Sequence, residues 1–197
     1  MKEVKKIKLI GLLITLVLLA SCQPPHEFAG TRLSAPQPSP HTVLQSASGP
    51  VSLQDFQGQY TFVYFGYTFC PDICPATLSV LKRVKADLGE AGDEIAVVMI
   101  TVDPERDTPE RLAEYMGYFD SSFVGLSGEK DMIDEVGAPF GLYYERHEGS
   151  GEGNYLVDHT ARVYLLDRES NAIVAYPHEV TADLILDDLH YLIEQES

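Results

Sequence analysis

Two cysteines, Cys70 and Cys74, lie four positions apart in the stretch YFGYTFCPDICPATL at 64–78, and a proline follows each of them. An apolar run before the pair predicts a buried strand and the run after it predicts a helix. The sulfur atoms then stand at a helix N-terminus, where thiolates are stabilised. Residues four apart in a helix share one face, which brings the two sulfurs within disulfide range. A static disulfide across so short a loop would stabilise the fold little, so redox exchange and soft-metal binding are favoured.

The spacer between the cysteines has three residues, Pro71, Asp72 and Ile73, whereas thioredoxin-like oxidoreductases carry two. A wider pair can spread its sulfurs around one ion. Two thiolates suit Cu(I), and an added imidazole gives a three-ligand site that could also hold Cu(II). Structural zinc normally has four ligands, so zinc is the weaker candidate. Thiol exchange and copper binding both stay open on these residues alone.

A third ligand would have to be a histidine from elsewhere in the chain. Five of the six histidines are weak candidates because they fall in a predicted mobile tether, in predicted loops or on a helix surface: His26, His41, His147, His178 and His190. His159 differs, since it stands between two apolar runs at the entrance to a predicted late strand. A lone histidine in such a place is usually structural, so the residues by themselves leave its role undecided.

The first residues predict export. Residues 1–21 combine four lysines with an uncharged run at 9–20, which is too short for the roughly 20 apolar residues of a spanning helix. The run ends in LASC, which resembles a bacterial lipoprotein cleavage box and makes Cys22 the predicted lipidation site. Residues 22–41 contain five prolines and predict an extended tether. We therefore expect a protein anchored by lipid to the outer face of a bacterial membrane, with Cys70 and Cys74 as its thiols in an oxidising compartment.

The charge balance excludes some partners. The chain holds 14 basic and 30 acidic residues, and removal of residues 1–21 would leave 10 basic and 29 acidic, a net charge of −19. Nucleic acid and anionic lipid surfaces are poor partners for such a field, whereas a metal cation is compatible with it. Solubility is a sufficient reason for most of these carboxylates.

The elements that must position the cysteines predict one α/β domain at 42–197. Strand–helix–strand units imply a parallel centre and the late strands add antiparallel pairs, so a thioredoxin-like fold fits, with a central mixed sheet flanked by helices and an N-terminal hairpin. A Gly-rich loop is predicted at 147–153. Strands are predicted at 42–44, 51–53, 61–66, 95–102, 123–126, 142–146, 161–166 and 173–176, and helices at 75–88, 109–119, 129–139 and 181–195.

Three separated motifs carry a family resemblance. After the cysteine stretch come VMITVDPERDTPERLAEY at 98–115 and YLVDHTARVYLLD at 155–167, and in this order they resemble the Sco/SenC copper-binding proteins from about residue 50 to the end. The resemblance implies a thioredoxin-like fold with one copper ion held by Cys70, Cys74 and His159. Asp103 is expected near the site by analogy with other strand-end loops, although a turn or N-cap role before Pro104 fits equally well.

The resemblance also implies a function. Family members deliver copper to, or keep reduced the cysteines of, the copper A centre in cytochrome c oxidase subunit II. The leading hypothesis is thus a copper metallochaperone, a binding and transfer module and not an enzyme, which serves that subunit or another copper-receiving protein. The alternative is a membrane-tethered thiol–disulfide oxidoreductase, which does not need His159. A peroxiredoxin-like activity is weaker, because it needs an activating base or arginine and no arginine follows the motif before Arg83.

Overall fold

A computed structural model describes residues 25–148 and 155–196 of the chain. The predicted signal peptide at 1–21 and Cys22, the predicted lipidation site, lie outside these residues, as does most of the predicted Gly-rich loop. Within the described ranges, no helix is both long enough and apolar enough to cross a membrane.

The described residues form ten strands and four α-helices. The strands are β1 (Thr31–Pro38), β2 (Leu44–Ser46), β3 (Gly49–Val51), β4 (Tyr60–Gly66), β5 (Ile95–Thr101), β6 (Val124–Leu126), β7 (Tyr144–Glu148), β8 (Tyr155–His159), β9 (Arg162–Leu166) and β10 (Asn171–Pro177). The helices are α1 (Ile73–Asp87), α2 (Pro109–Gly117), α3 (Lys130–Gly137) and α4 (Ala182–Glu196).

A six-stranded mixed sheet in the order β1-β10-β9-β4-β5-β6 forms the centre of the domain. β4 (YTFVYFG) and β5 (IAVVMIT) are buried at every residue, as expected for adjacent parallel strands whose two faces are both covered. β6 continues the parallel half, whereas β9 and β10 add the antiparallel half. The predicted thioredoxin-like arrangement is confirmed, and the short β2–β3 hairpin stands near its predicted place.

The sheet topology brings three loops together at the carboxyl ends of β4 and β5. β4 and β5 end in register, with Gly66 opposite Thr101, so the segments that follow them leave the sheet side by side. β9 runs antiparallel to β4, with Val163 opposite Tyr64, and the chain therefore enters β9 at this same edge. The cysteine motif, the DPERD segment and the turn after His159 meet there, where functional groups of open α/β sheets usually gather.

The N-terminal boundary of the domain differs from the prediction. β1, which the sequence placed in the tether at 22–41, pairs with β10 at the edge of the central sheet. An edge strand tolerates proline because its outward N–H groups need no partner, and the proline content of this segment therefore misled the prediction. His26 is also not on a mobile tether: its Nε2 lies 2.7 Å from the buried Asp188 carboxylate, and its ring stacks on Tyr191 at 4.3 Å.

A second difference concerns β8, which was not predicted from the sequence. β7 and β8 pair antiparallel as a separate two-stranded sheet, with Tyr144 opposite His159. His159 is consequently the last residue of β8, three positions before β9, and not the entry to a single late strand. Burial alternates along β8, as expected where one face packs on the domain and the other faces solvent.

Candidate metal centre

The three residues predicted as metal ligands come together at the carboxyl edge of the sheet. Cys70 lies in the loop after β4, Cys74 is the second residue of α1, and His159 ends β8. One ligand atom from each lies within 4.8 Å of the other two. An imidazole 85 positions after Cys74 thus joins the two thiols in one compact group.

The two thiols differ in exposure and in acidity. Cys74 is fully buried, whereas Cys70 is half-buried, and the backbone N–H of Cys74 points to Cys70 Sγ at 3.4 Å. A hydrogen bond from the Cys74 thiol, with lesser help from His159 and the backbone N–H groups of Asp72 and Cys74, lowers the pKa of Cys70 to about 4 although burial opposes the shift. The same hydrogen bond, together with burial, raises the pKa of Cys74. Cys70 is therefore the thiolate of the reduced pair and Cys74 its proton donor.

The His159 ring is oriented by contacts on both sides. Nε2 lies 3.7 Å from Cys74 Sγ, while Nδ1 lies 3.3 Å from the Thr160 carbonyl oxygen. When a metal is bound, an Nδ1–H that donates to this carbonyl would leave the Nε2 lone pair for the ion, which is the usual arrangement for a ligating histidine. The rings of Tyr64 and Tyr67 each meet the imidazole nearly edge-on, with centroids 6.0 Å away.

Tyr64 supplies a contact that was not predicted from the sequence. Its hydroxyl donates to Cys74 Sγ at 3.4 Å, and burial raises the pKa of Tyr64, so the phenol keeps its proton. The Tyr67 hydroxyl instead accepts from the Val157 backbone N–H at 3.3 Å. The signal was available in the sequence, since a tyrosine on a fully buried strand needs a partner for its hydroxyl and Cys74 follows ten residues later.

The loop that carries Cys70 is tied to the sheet by Asp107, which was also not predicted as a functional residue. This fully buried carboxylate accepts from the Thr68 backbone N–H at 3.0 Å, from Thr68 Oγ1 at 2.5 Å and from Thr101 Oγ1 at 2.7 Å. Burial raises the pKa of Asp107, and the three donors oppose that shift. Because Thr68 lies two residues before Cys70, Asp107 fixes the start of the cysteine loop against the end of β5.

Asp103 is not one of the three clustered ligand residues, and its carboxylate connects to the cysteine loop through Arg106, which lies over the Phe69 ring. It is almost fully buried, accepts from the Tyr155 hydroxyl at 2.6 Å and from Arg106 Nε, and closes a turn through its own carbonyl. The turn role that the sequence offered for Asp103 is thus present in the structure.

Arg106 approaches the cysteine loop from the DPERD segment. Its guanidinium lies 4.5 Å from the centroid of the Phe69 ring. This contact was not predicted, because Arg106 is far from the cysteine motif in the sequence. Arg106 Nε donates to the Asp103 carboxylate, and Nη1 donates to the Tyr155 carbonyl oxygen. Neither group donates to a thiol, so we assign Arg106 a structural role in holding the loop. The arrangement gives no added support to the peroxiredoxin-like alternative.

The donor set fits a soft metal ion. Two sulfurs and one imidazole nitrogen favour copper over hard cations such as Mg²⁺ or Ca²⁺, which prefer oxygen. A buried thiol, a half-exposed thiol and an oriented imidazole offer three ligands, and the structure shows no carboxylate in this group among the described residues. The geometry therefore fits the predicted copper ligands better than a four-ligand structural zinc site.

Comparisons with known proteins agree with this geometry. A SCO2-like protein of Rickettsia conorii is 39% identical over 112 residues, and the matched region spans about half of each chain, 56% of this one and 55% of the relative. The solution structure of apo Sco1 from Thermus thermophilus matches with a TM-score of 0.77 and 38% identity, covering 86% of this chain and 99% of its own. ScoI of Bradyrhizobium japonicum, solved with copper bound, matches with a TM-score of 0.71 and 32% identity, covering 78% and 98%. The SCO1/SenC family model matches residues 30–194, nearly the whole described domain, and the chain belongs to the SCO1/SenC family.

Proposed function

We propose that this protein is a copper metallochaperone that binds copper through Cys70 Sγ, Cys74 Sγ and His159 Nε2. The observation that carries the proposal is the meeting of two thiols and an imidazole within 4.8 Å at one edge of the sheet. Soft thiolates suit Cu(I), and the imidazole extends the site to Cu(II). The Bradyrhizobium japonicum relative was solved with copper bound, which supports copper as the ion that this site takes.

The unequal burial of the thiols supports transfer to a partner. Cys70 is half-buried and its neighbours Phe69 and Ile73 are 43% and 37% exposed, so a partner can reach this sulfur across an apolar rim. Cys74 is enclosed and would be the last ligand to release the ion. Ligand exchange through shared three-coordinate intermediates then moves copper outward by way of Cys70.

We propose that the receiving partner is cytochrome c oxidase subunit II or another copper-receiving protein. This protein would deliver copper to the copper A site of that subunit or keep the thiols of that site reduced. We also propose export and a lipid anchor at Cys22 on the outer face of a bacterial membrane, from the basic, apolar and small residues at 1–22. Because His26 already packs on α4, the spacer between anchor and domain would be shorter than the predicted tether at 22–41.

Replacing His159 by Ala tests the three-ligand site. We expect copper affinity to fall by more than about 100-fold, since loss of a ligand should exceed the roughly 10–100-fold cost of losing only a ligand's outer partner. The measurement is a competition titration against a chromophoric chelator, on reduced protein whose thermal unfolding matches wild type. His190→Ala, an exposed histidine on α4, is the control and should leave the affinity unchanged. Unchanged copper retention in His159→Ala would exclude the site.

A thiol–disulfide oxidoreductase is the second candidate, and the low pKa of Cys70 favours it. In this chemistry the Cys70 thiolate attacks one sulfur of a partner disulfide and expels the other as a thiolate. Cys74, once deprotonated, then attacks Cys70 Sγ, which releases the reduced partner and leaves Cys70–Cys74 oxidised. His159→Ala separates the candidates, because it should abolish tight copper binding and leave this exchange largely intact.

Alkylation measures the predicted acidity of Cys70. We expect iodoacetamide to modify Cys70 of the reduced protein nearly as fast at pH 6 as at pH 8, because a pKa of about 4 keeps the thiolate formed at both. A cysteine with an ordinary pKa near 8.5 would slow by roughly 75-fold over that interval. Cys74→Ala removes the thiol that donates to Cys70, so its labelling at pH 6 should slow by more than about tenfold. Equal pH profiles for the two proteins would contradict the pairing.

A further inference from the structure

We infer that the Tyr64 hydroxyl is a positioning group that biases the centre toward Cu(I) by donating a hydrogen bond to the sulfur of Cys74. The inference rests on the proposed copper site and assigns a role to a residue that is not itself a ligand. It concerns one sulfur of the pair, since the 3.4 Å contact joins Tyr64 Oη to Cys74 Sγ.

The phenol is held rigidly beneath the buried thiol. Tyr64 is fully buried on β4, which pairs with β5 on one side and with β9 on the other, so its backbone cannot shift without breaking the central sheet. Its ring also meets His159 edge-on at 6.0 Å. Buried hydroxyls are nearly always hydrogen-bonded, and the Tyr64 hydroxyl donates to the Cys74 sulfur.

The direction of the hydrogen bond is fixed when a metal is bound. A ligating Cys74 is a thiolate without a proton, so the hydroxyl must donate and the sulfur must accept. The sulfur carries more negative charge beside Cu(I) than beside Cu(II), because it gives more electron density to the more oxidised ion. The hydrogen bond is therefore stronger in the Cu(I) state, and hydrogen bonds to cysteine sulfur are a known control on copper and iron–sulfur potentials.

The Tyr64 hydrogen bond is made to Cys74, the ligand that should release copper last. Cys74 is enclosed while Cys70 is half-exposed, so the sulfur that faces partners lacks this phenol contact. The arrangement separates two tasks between two cysteines. Cys74 with Tyr64 sets the preferred oxidation state, and Cys70 carries the exchange.

Tyr64→Phe tests the inference, and Tyr67→Phe is its matched control. Both changes remove one phenolic hydroxyl from a buried ring that lies 6.0 Å from His159, but the Tyr67 hydroxyl accepts from a backbone N–H and does not touch the Cys74 sulfur. The measurements are Cu(I) and Cu(II) affinities by chelator competition and the absorption band of the Cu(II)–thiolate charge transfer. Thermal unfolding midpoints verify that both variants are folded.

We expect Tyr64→Phe to lower the ratio of Cu(I) to Cu(II) affinity by about three- to tenfold, a fraction of the net value of one hydrogen bond to a charged acceptor. Its charge-transfer band should move to longer wavelength, because the sulfur becomes a better electron donor. Tyr67→Phe keeps the ring beside His159 and removes no hydrogen bond to a sulfur, so its ratio of Cu(I) to Cu(II) affinity should stay within about twofold of wild type even where both affinities change together. If wild type binds copper and Tyr64→Phe matches it in ratio and spectrum, or if Tyr67→Phe shifts equally, the inference is wrong. If wild type binds no copper at these ligands, the proposed function fails with it.

Discussion

Gly66→Ala should damage the fold and the metal centre together. A Cβ atom at Gly66 would lie 2.7 Å from Tyr64 Cε1 and 3.1 Å from Cys74 Sγ, and the first distance is shorter than real side chains allow. Neither neighbour can move easily, since both are fully buried and Gly66 ends β4 with its carbonyl bonded to the Val102 N–H. Overpacking of this kind costs about 1–3 kcal/mol, and we expect the upper part of that range.

The measurement for Gly66→Ala is urea unfolding of the reduced protein, followed by copper titration of the folded fraction. Copper affinity should fall by more than about tenfold, because Cys74 Sγ must shift by a few tenths of an ångström from its two co-ligands. Gly117→Ala is the control: this glycine ends α2 with open space where a Cβ atom would stand, and alanine there should add about 0.5–1 kcal/mol of stability. A Gly66→Ala protein as stable and as copper-avid as wild type would contradict the close packing.

Much of the fold was predictable because its strongest signals are local. β4 and β5 are unbroken apolar runs, and α2 begins where Thr108 and Pro109 predict, with the Arg111 N–H donating to Thr108 Oγ1 at 3.3 Å. β1 escaped prediction because an exposed edge strand needs little apolar patterning and accepts proline. Its place in the sheet depends on pairing with β10, more than 130 residues later, which no local pattern encodes.

The candidate site shows the same division. Cys70 and Cys74 were visible from spacing, but only the family resemblance connected His159 to them, since the sheet topology that joins them is not local. Tyr64 and Asp107 were missed for another reason. Both lie inside quoted motifs. Their roles depend on which atoms their buried polar groups contact in the folded chain, and the residue types alone do not predict those contacts.

Asp107→Ala should cost about 2–4 kcal/mol of unfolding free energy, although the residue touches neither thiol. The change leaves two Thr68 donors and the Thr101 hydroxyl without their acceptor, and each buried unpaired group costs about 1–3 kcal/mol. The variant no longer buries a charged carboxylate, and water can enter to bind the freed donors. Both effects offset part of the cost, so the expected loss is smaller than the sum of the three separate costs. Asp107→Asn keeps one acceptor oxygen and should lose about half as much.

A comparison with Asp120→Ala separates this network from ordinary turn capping. Asp120 accepts from the Ser122 N–H at 2.8 Å and from its hydroxyl at 2.7 Å, but in an exposed turn where water can replace it, so its loss should stay under about 1 kcal/mol. Urea unfolding of the reduced proteins gives both values. Loss of the hydrogen bonds to Thr68 should also loosen the cysteine loop. Iodoacetamide should therefore modify Cys74, which is enclosed in wild type, faster in Asp107→Ala. Unchanged Cys74 labelling, or a stability loss no larger than that of Asp120→Ala, would show that the loop is held by other contacts.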